Sequence, residues 1–132
     1  MATYEILIAD DHPLFRSALH QALTLGLGPD VRLVEVASIA ELEVRLTEKS
    51  DWDLVLLDLN MPKKDGREAL KEIRNDERFK DLNVAIFSTS ISEQDKVYTS
   101  TLGVTQHITK PFDFSELVHT IKEVCDSCLI TA

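Results

Sequence analysis

The chain has 132 residues, 44% of them hydrophobic, with four glycines and four prolines, which is one domain with room for a proper core and excludes a fibrous or disordered protein. Fourteen basic against 23 acidic residues leave a formal net charge of −9, which argues against nucleic-acid and anionic-membrane binding, since both need a positive face. No apolar run approaches the roughly 20 residues that span a bilayer, and Met1–Asp10 is strand-like and acid-bearing, unlike a signal peptide, so the expectation is a soluble, cytoplasmic single domain.

In chain order, Glu5-Ile6-Leu7-Ile8-Ala9 opens with a nearly continuous apolar run, the signature of a strand buried on both faces. Phe15, Ala18, Leu19 and Ala22 follow at helical spacing, and that helix stops near Gly26 or Gly28. Val31–Val36 is interrupted by charge and predicts an edge strand; Ser38 with Glu41 forms a capping box ahead of Ile39, Leu42 and Leu46. Leu54–Leu57 is a third, apolar strand, followed by a helix marked by Ala69, Leu70 and Ile73. Val84–Phe87 is the fourth strand, and Ser92 with Asp95 opens a helix that Gly103 closes. Thr105–Thr109 is half polar, a second edge strand, and Phe114, Leu117, Val118, Ile121 and Val124 stripe the last helix. Five βα repeats with polar second and fifth strands predict an α/β, flavodoxin-like (βα)5 doubly wound parallel sheet of order 2-1-3-4-5.

In such a sheet, ligands bind outside the carboxyl ends of the strands, near the switch point between strands one and three. Strand one ends in Asp10-Asp11, strand three in Asp58, strand four in Ser88, and strand five runs into Lys110-Pro111. Singly, each has an ordinary role in capping or solvation; jointly at one rim they are hard to explain that way. Three carboxylates repel one another and need a cation, and a rim read as oxygen-only, without His or Cys, points to Mg2+. Three carboxylates, Mg2+ and Lys110 sum to zero charge, a setting suited to accept a phosphoryl group on an Asp, with a Ser hydroxyl donating to its oxygens. Asp58 is the best nucleophile, because it leaves a central strand. The Leu59–Gly66 connection bars helix through Pro62, offers Gly66 for an unusual φ, and presents carbonyls that can reach a metal.

With Asp10-Asp11-His12-Pro13, Asp58-Leu59-Asn60-Met61-Pro62…Gly66, Ser88 and Lys110-Pro111 in place, the chain resembles a CheY-like response-regulator receiver domain of two-component signalling, from Ile6 to about Val124. The resemblance implies that Asp58 is phosphorylated by a histidine kinase, a phosphotransfer protein or a small phosphodonor. It implies that Asp11, Asp58 and the Asn60 carbonyl bind Mg2+, with Asp10 acting through water, and that Ser88 and Lys110 contact the phosphoryl group. The expected unit is a stand-alone receiver over residues 1–132, its core about 4–125, with a short tail and no output domain. It is not an enzyme beyond phosphorylating and dephosphorylating itself. The face of helix four, strand five and helix five then switches binding of a partner or a second copy. In that family the Lys-Pro bond is usually cis, whereas an X–Pro bond in general is cis about 5% of the time. Thr89-Ser90 and Phe112-Asp113-Phe114 are similar to single-domain members related to phytochrome-partner regulators.

Two positions depart from the family pattern. His107, three before Lys110, stands where Tyr or Phe moves inward when Ser88 engages the phosphoryl group; either it serves the switch or it is an exposed edge-strand His. Thr89 stands where Ala or Gly is common and narrows access. A phosphohydrolase with an aspartyl nucleophile, as in haloacid-dehalogenase relatives, wants an acid two residues on, where this chain has Asn60, and a cap it has no room for. A pseudo-receiver that binds partners without phosphorylation is the other alternative, though every expected site residue is present. His12 reads as helix-start packing, His20 and His119 as solvent-facing, Trp52 as a loop anchor, and Lys63-Lys64 with Arg67 as charges that balance local acid. Cys125 and Cys128 fall at a helix C-terminus, where the dipole disfavours thiolate, so they read as reduced thiols rather than a redox pair or a zinc site.

Overall fold

The five predicted strands form as β1 (Glu5–Ala9), β2 (Arg32–Val36), β3 (Leu54–Asp58), β4 (Val84–Ser88) and β5 (Gln106–Thr109) in a computed structural model. Between and after them lie helices α1 (Pro13–Leu27), α2 (Ile39–Glu48), α3 (Gly66–Asn75), α4 (Glu93–Thr101) and α5 (Phe114–Cys128). A single 3₁₀ turn, Glu77–Phe79, follows α3. The structure describes residues 4–28, 31–59, 66–88, 93–104, 106–111 and 113–128.

All strand pairs are parallel and the order is β2-β1-β3-β4-β5, as the pattern of edge and central strands predicts. Every residue of β3 and β4 is buried, whereas β2 and β5 keep exposed or half-buried positions. Alternate strand residues serve opposite faces. Leu7, Val55, Leu57, Val84 and Ile86 pack with Ile39, Leu42 and Leu46 of α2 and Ala69, Leu70 and Ile73 of α3. Ile6, Ile8, Leu54, Leu56 and Phe87 pack with Leu19 and Leu23 of α1 and Leu117, Ile121 and Val124 of α5. Phe15 meets Phe87 edge to face, 5.6 Å between ring centres.

Local signals set the helix ends. Pro13 opens α1, where its missing N–H costs nothing, and Gly28 at φ +89° follows its last turn. The Ser38 hydroxyl oxygen accepts from the Glu41 amide at 3.2 Å at the start of α2. Gly103, after α4, also has a positive φ of +69°. Gly66 does not. It is needed for a different reason: a Cβ there would lie 2.8 Å from the Asp58 carbonyl oxygen and 2.8 Å from Leu59 Cα. The expectation of an unusual φ is thus replaced by close backbone approach, sealed by the Gly66 amide donating to Leu59 O at 3.1 Å.

Trp52, read as a loop anchor, is buried, with the Lys49 ammonium 5.1 Å from its ring centre. Cys125 is buried in the α1–α5 face, consistent with packing. His20 and His119 are exposed on their helices, pairing with Glu35 and Glu123. No cis peptide bond occurs among the described residues, so Lys110–Pro111 is trans, unlike the usual family state.

Candidate functional site

Strand register gathers the rim. Ala9 pairs with both Val36 and Leu57, Asp58 with Phe87, and Ser88 with Thr109. Asp10 and Asp58 therefore emerge level, with Ser88 one residue and Lys110 two residues further along, at the carboxyl edge of four adjacent strands. Main-chain bonds extend the ladder one residue further and fix where the side chains start: Asp10 N donates to Val36 O, Leu59 N to Phe87 O, and Lys110 N to Ser88 O at 2.8 Å.

Asp10 and Asp58 are each 2% exposed and Ser88 is fully buried. Burial of ionised carboxylates is costly unless a counter-charge is close. Lys110 supplies it: its Nζ lies 3.0 Å from Asp10 Oδ2 and 3.2 Å from Asp58 Oδ2. The same Nζ lies over the Phe15 ring, 4.5 Å from its centroid. Asp10 Oδ2 and Asp11 Oδ1 are buried and lack an aligned hydrogen-bond donor among the described residues. One ammonium against three carboxylates leaves the pocket two negative charges in excess. That excess and the orphaned oxygens fit a divalent cation.

The pocket also holds a residue that the sequence reading assigned to helix-start packing. His12 makes no side-chain cap to α1. Its Nδ1 lies 3.0 Å from Asp10 Oδ1, 3.2 Å from Asp11 Oδ1, 3.5 Å from Asp58 Oδ2 and 3.1 Å from Lys110 Nζ. Ligand atoms of Asp10, Asp11, His12 and Asp58 all fall within 4.8 Å of one another, so the rim is not oxygen-only. The signal available in the sequence was His-Pro directly after the acidic pair: Pro13 confines His12 to extended backbone (φ −96°, ψ 103°), and its amide donates to Asp10 Oδ1 at 2.7 Å, turning the ring back over the pocket.

His107 is not an exposed edge residue. It is half-buried beneath α4, with its Nε2 2.7 Å from Thr99 Oγ1, while the Thr99 hydroxyl donates to Asp95 O. Burial, then the positive charge of Lys96, hold the His107 imidazole below its ordinary pKa, with Asp95 pulling the other way. Arg67, read as a balancing charge, forks onto the Asp95 carboxylate at 2.5 and 2.6 Å and ties the start of α3 to α4. Asn60, Lys63, Lys64, Thr89, Ser90 and Phe112 lie outside the described residues.

The doubly wound parallel sheet thus carries a buried acidic pocket, a lysine and a serine at its switch point, where folds of this class bind ligands. The chain belongs to the response regulator receiver domain family, matching it over residues 6–122. It is 36% identical over 121 residues to the glycerol metabolism activator of Pseudomonas putida, covering 92% of this chain and 53% of that protein. It is 34% identical over 118 residues to the nitrate/nitrite response regulator NarL of Escherichia coli K12, covering 89% of this chain and 53% of that protein. This chain thus spans about half the length of the curated relatives it matches. Among solved structures, it resembles the phosphorylated cyanobacterial phytochrome response regulator RcpA at 34% identity and TM-score 0.87, covering 99% of this chain and 97% of that one. The Mn2+-bound form of response regulator Rcp1 follows at 26% and TM-score 0.83, each chain 97% covered.

Proposed function

We propose that this chain is a phosphorylation-controlled signalling module that accepts a phosphoryl group on Asp58 from a histidine kinase, a phosphotransfer protein or a small phosphodonor. The observation that carries this reading is a buried Asp58 carboxylate, 3.2 Å from the Lys110 ammonium and clustered with Asp10 and Asp11, at the sheet's switch point. An Asp58 oxygen forms the new bond to phosphorus as the bond to the donor's imidazole nitrogen or acyl oxygen breaks, the electron pair leaving with the donor. The Lys110 ammonium offsets charge on the phosphoryl oxygens and Ser88 contributes a hydroxyl. Asp11, Asp58 and the Asn60 carbonyl would hold Mg2+, with Asp10 acting through water. The chemistry such an ion supplies when bound is charge neutralisation at the transferred group. The Mn2+-bound relative Rcp1 supports a divalent site of this kind.

The receiver unit is taken as residues 1–132 with a core of about 4–125, acting in the cytoplasm with its phosphodonor. No described helix is long and apolar enough to cross a membrane. Drawing Ser88 toward a phosphorylated Asp58 would bias the α4–β5–α5 face, with His107 in it, toward binding a downstream protein or a second copy. Chemistry is confined to its own Asp58, so the chain is a signalling protein rather than an enzyme. Intact-mass spectrometry after incubation with acetyl phosphate and Mg2+ tests this. A gain of one phosphoryl group, abolished by EDTA and by Asp58→Ala, is expected. No gain, with phosphate released from other phosphate esters, would instead point to a phosphohydrolase; no gain and no turnover, to a pseudo-receiver.

A further inference from the structure

We propose that His12 is a metal ligand, so that this pocket ranks nitrogen-accepting divalent ions such as Ni2+ and Co2+ further above Mg2+ than its carboxylates alone would. The inference rests on reading the acidic pocket as a cation site. Neighbouring ligands on one octahedral ion with bonds of about 2.1 Å sit about 3.0 Å apart, and opposite ones about 4.2 Å. The distances from His12 Nδ1 to the oxygens of Asp11 and Asp58, the two carboxylates placed on the ion, are 3.2 and 3.5 Å, within the spacing of ligands sharing an ion.

The position of that nitrogen is built into the chain. Extended backbone ahead of Pro13, the His12 amide bonded to Asp10 Oδ1, and the His12 carbonyl accepting from Arg16 N at 2.9 Å leave the ring few places to go. The Arg16 guanidinium holds the next link, donating to Asp10 O at 2.8 Å. Nδ1 is the ring nitrogen turned inward, 3.1 Å from Lys110 Nζ, and in the tautomer that carries the proton on Nε2 it would offer a lone pair there. Lys110 Nζ, touching Asp10, Asp58 and His12 together, marks where positive charge is best placed. Imidazole discriminates: Mg2+ prefers oxygen, whereas Ni2+ and Co2+ gain from nitrogen.

The test compares wild type with His12→Ala and His12→Asn. His12 is 55% exposed on its side chain, so both variants keep the fold, to be confirmed by thermal melting. Calorimetric titration with Mg2+ and with Ni2+ is expected to show roughly tenfold or greater loss of Ni2+ affinity in both variants, with Mg2+ affinity changed much less. Spin-echo spectroscopy of bound Mn2+ is expected to show nitrogen coupling from an imidazole in wild type and none in His12→Ala. An unchanged Ni2+ to Mg2+ ratio together with no nitrogen coupling in wild type would overturn the role of His12 while leaving the cation site standing. Failure of wild type to bind any of the three ions would overturn both.

Discussion

The rim of β1, β3 and β4 and the α4–β5 side of the same sheet are held by different forces. At the rim, strands buried on both faces carry Asp10, Asp58 and Ser88, and the side chains inherit rigid starting points from the ladder. The α4 helix, by contrast, contributes one buried residue, and it is polar: Thr99. Val97 and Tyr98 face outward, at 65% and 38% exposure. What fastens α4 among the described residues is a set of directional polar links. Arg67 forks onto Asp95 at its start, Arg74 donates to Leu102 O and Gly103 O beyond its end, and Thr99 bonds His107. Apolar burial is non-directional and resists small shifts by close packing. Hydrogen bonds have alternatives and are worth about 1 kcal/mol each net. On the proposed function, a charge change at the rim would therefore be felt where holding is weakest, so that a rigid acceptor site and a movable face could share one sheet.

The largest contrast is expected from truncating each side in turn. Phe87→Ala, deep in the α1–α5 core, is expected to cost about 3–5 kcal/mol, whereas Val97→Ala on α4 stays within about 0.5 kcal/mol, both read by urea unfolding. Equal costs would collapse the distinction. Gly66→Ala sharpens it at the rim. The added methyl meets backbone at 2.8 Å on Asp58 and Leu59, so the loop must shift, and a lower rate of Asp58 phosphorylation together with lower stability is expected.

On the α4 side, Thr99→Val keeps the volume but removes the hydroxyl that meets His107, with an expected loss of about 1–2 kcal/mol. The smallest effect is a pH slope. Because His107 is held below its ordinary pKa, the unfolded chain binds that proton more tightly than the folded one. The stabilisation is full above the unfolded value of about 6.5 and is lost as pH falls through it toward the depressed folded value. Wild type should therefore lose more stability than His107→Gln between about pH 7.5 and about pH 5. Parallel curves would show that burial beneath α4 does not bias this imidazole.

The same division explains what the sequence reveals. Continuous apolar runs announce β1, β3 and β4, and charge interrupts β2, so strand order and the emergence of Asp10, Asp58, Ser88 and Lys110 at one edge follow from pattern and register. Two residues escape that logic. His12 reaches the pocket through a ring turned back by an Asx-type bond to Asp10, a local side-chain geometry with no periodicity. His107 looks exposed because β5 is half polar, and only the docking of α4 buries it against Thr99. Gly66 is legible as a requirement, but its cause, backbone passing within contact distance of Asp58, is a tertiary fact.

The most direct test of the central claim is to locate the phosphoryl group. The protein would be phosphorylated with acetyl phosphate and Mg2+, reduced with borohydride, which converts an acyl phosphate on aspartate to homoserine, digested and sequenced by mass spectrometry. Homoserine at position 58, absent when EDTA is present, is the expected result. Homoserine at 10 or 11, or a phosphoryl group retained elsewhere with position 58 unmodified, would contradict the account.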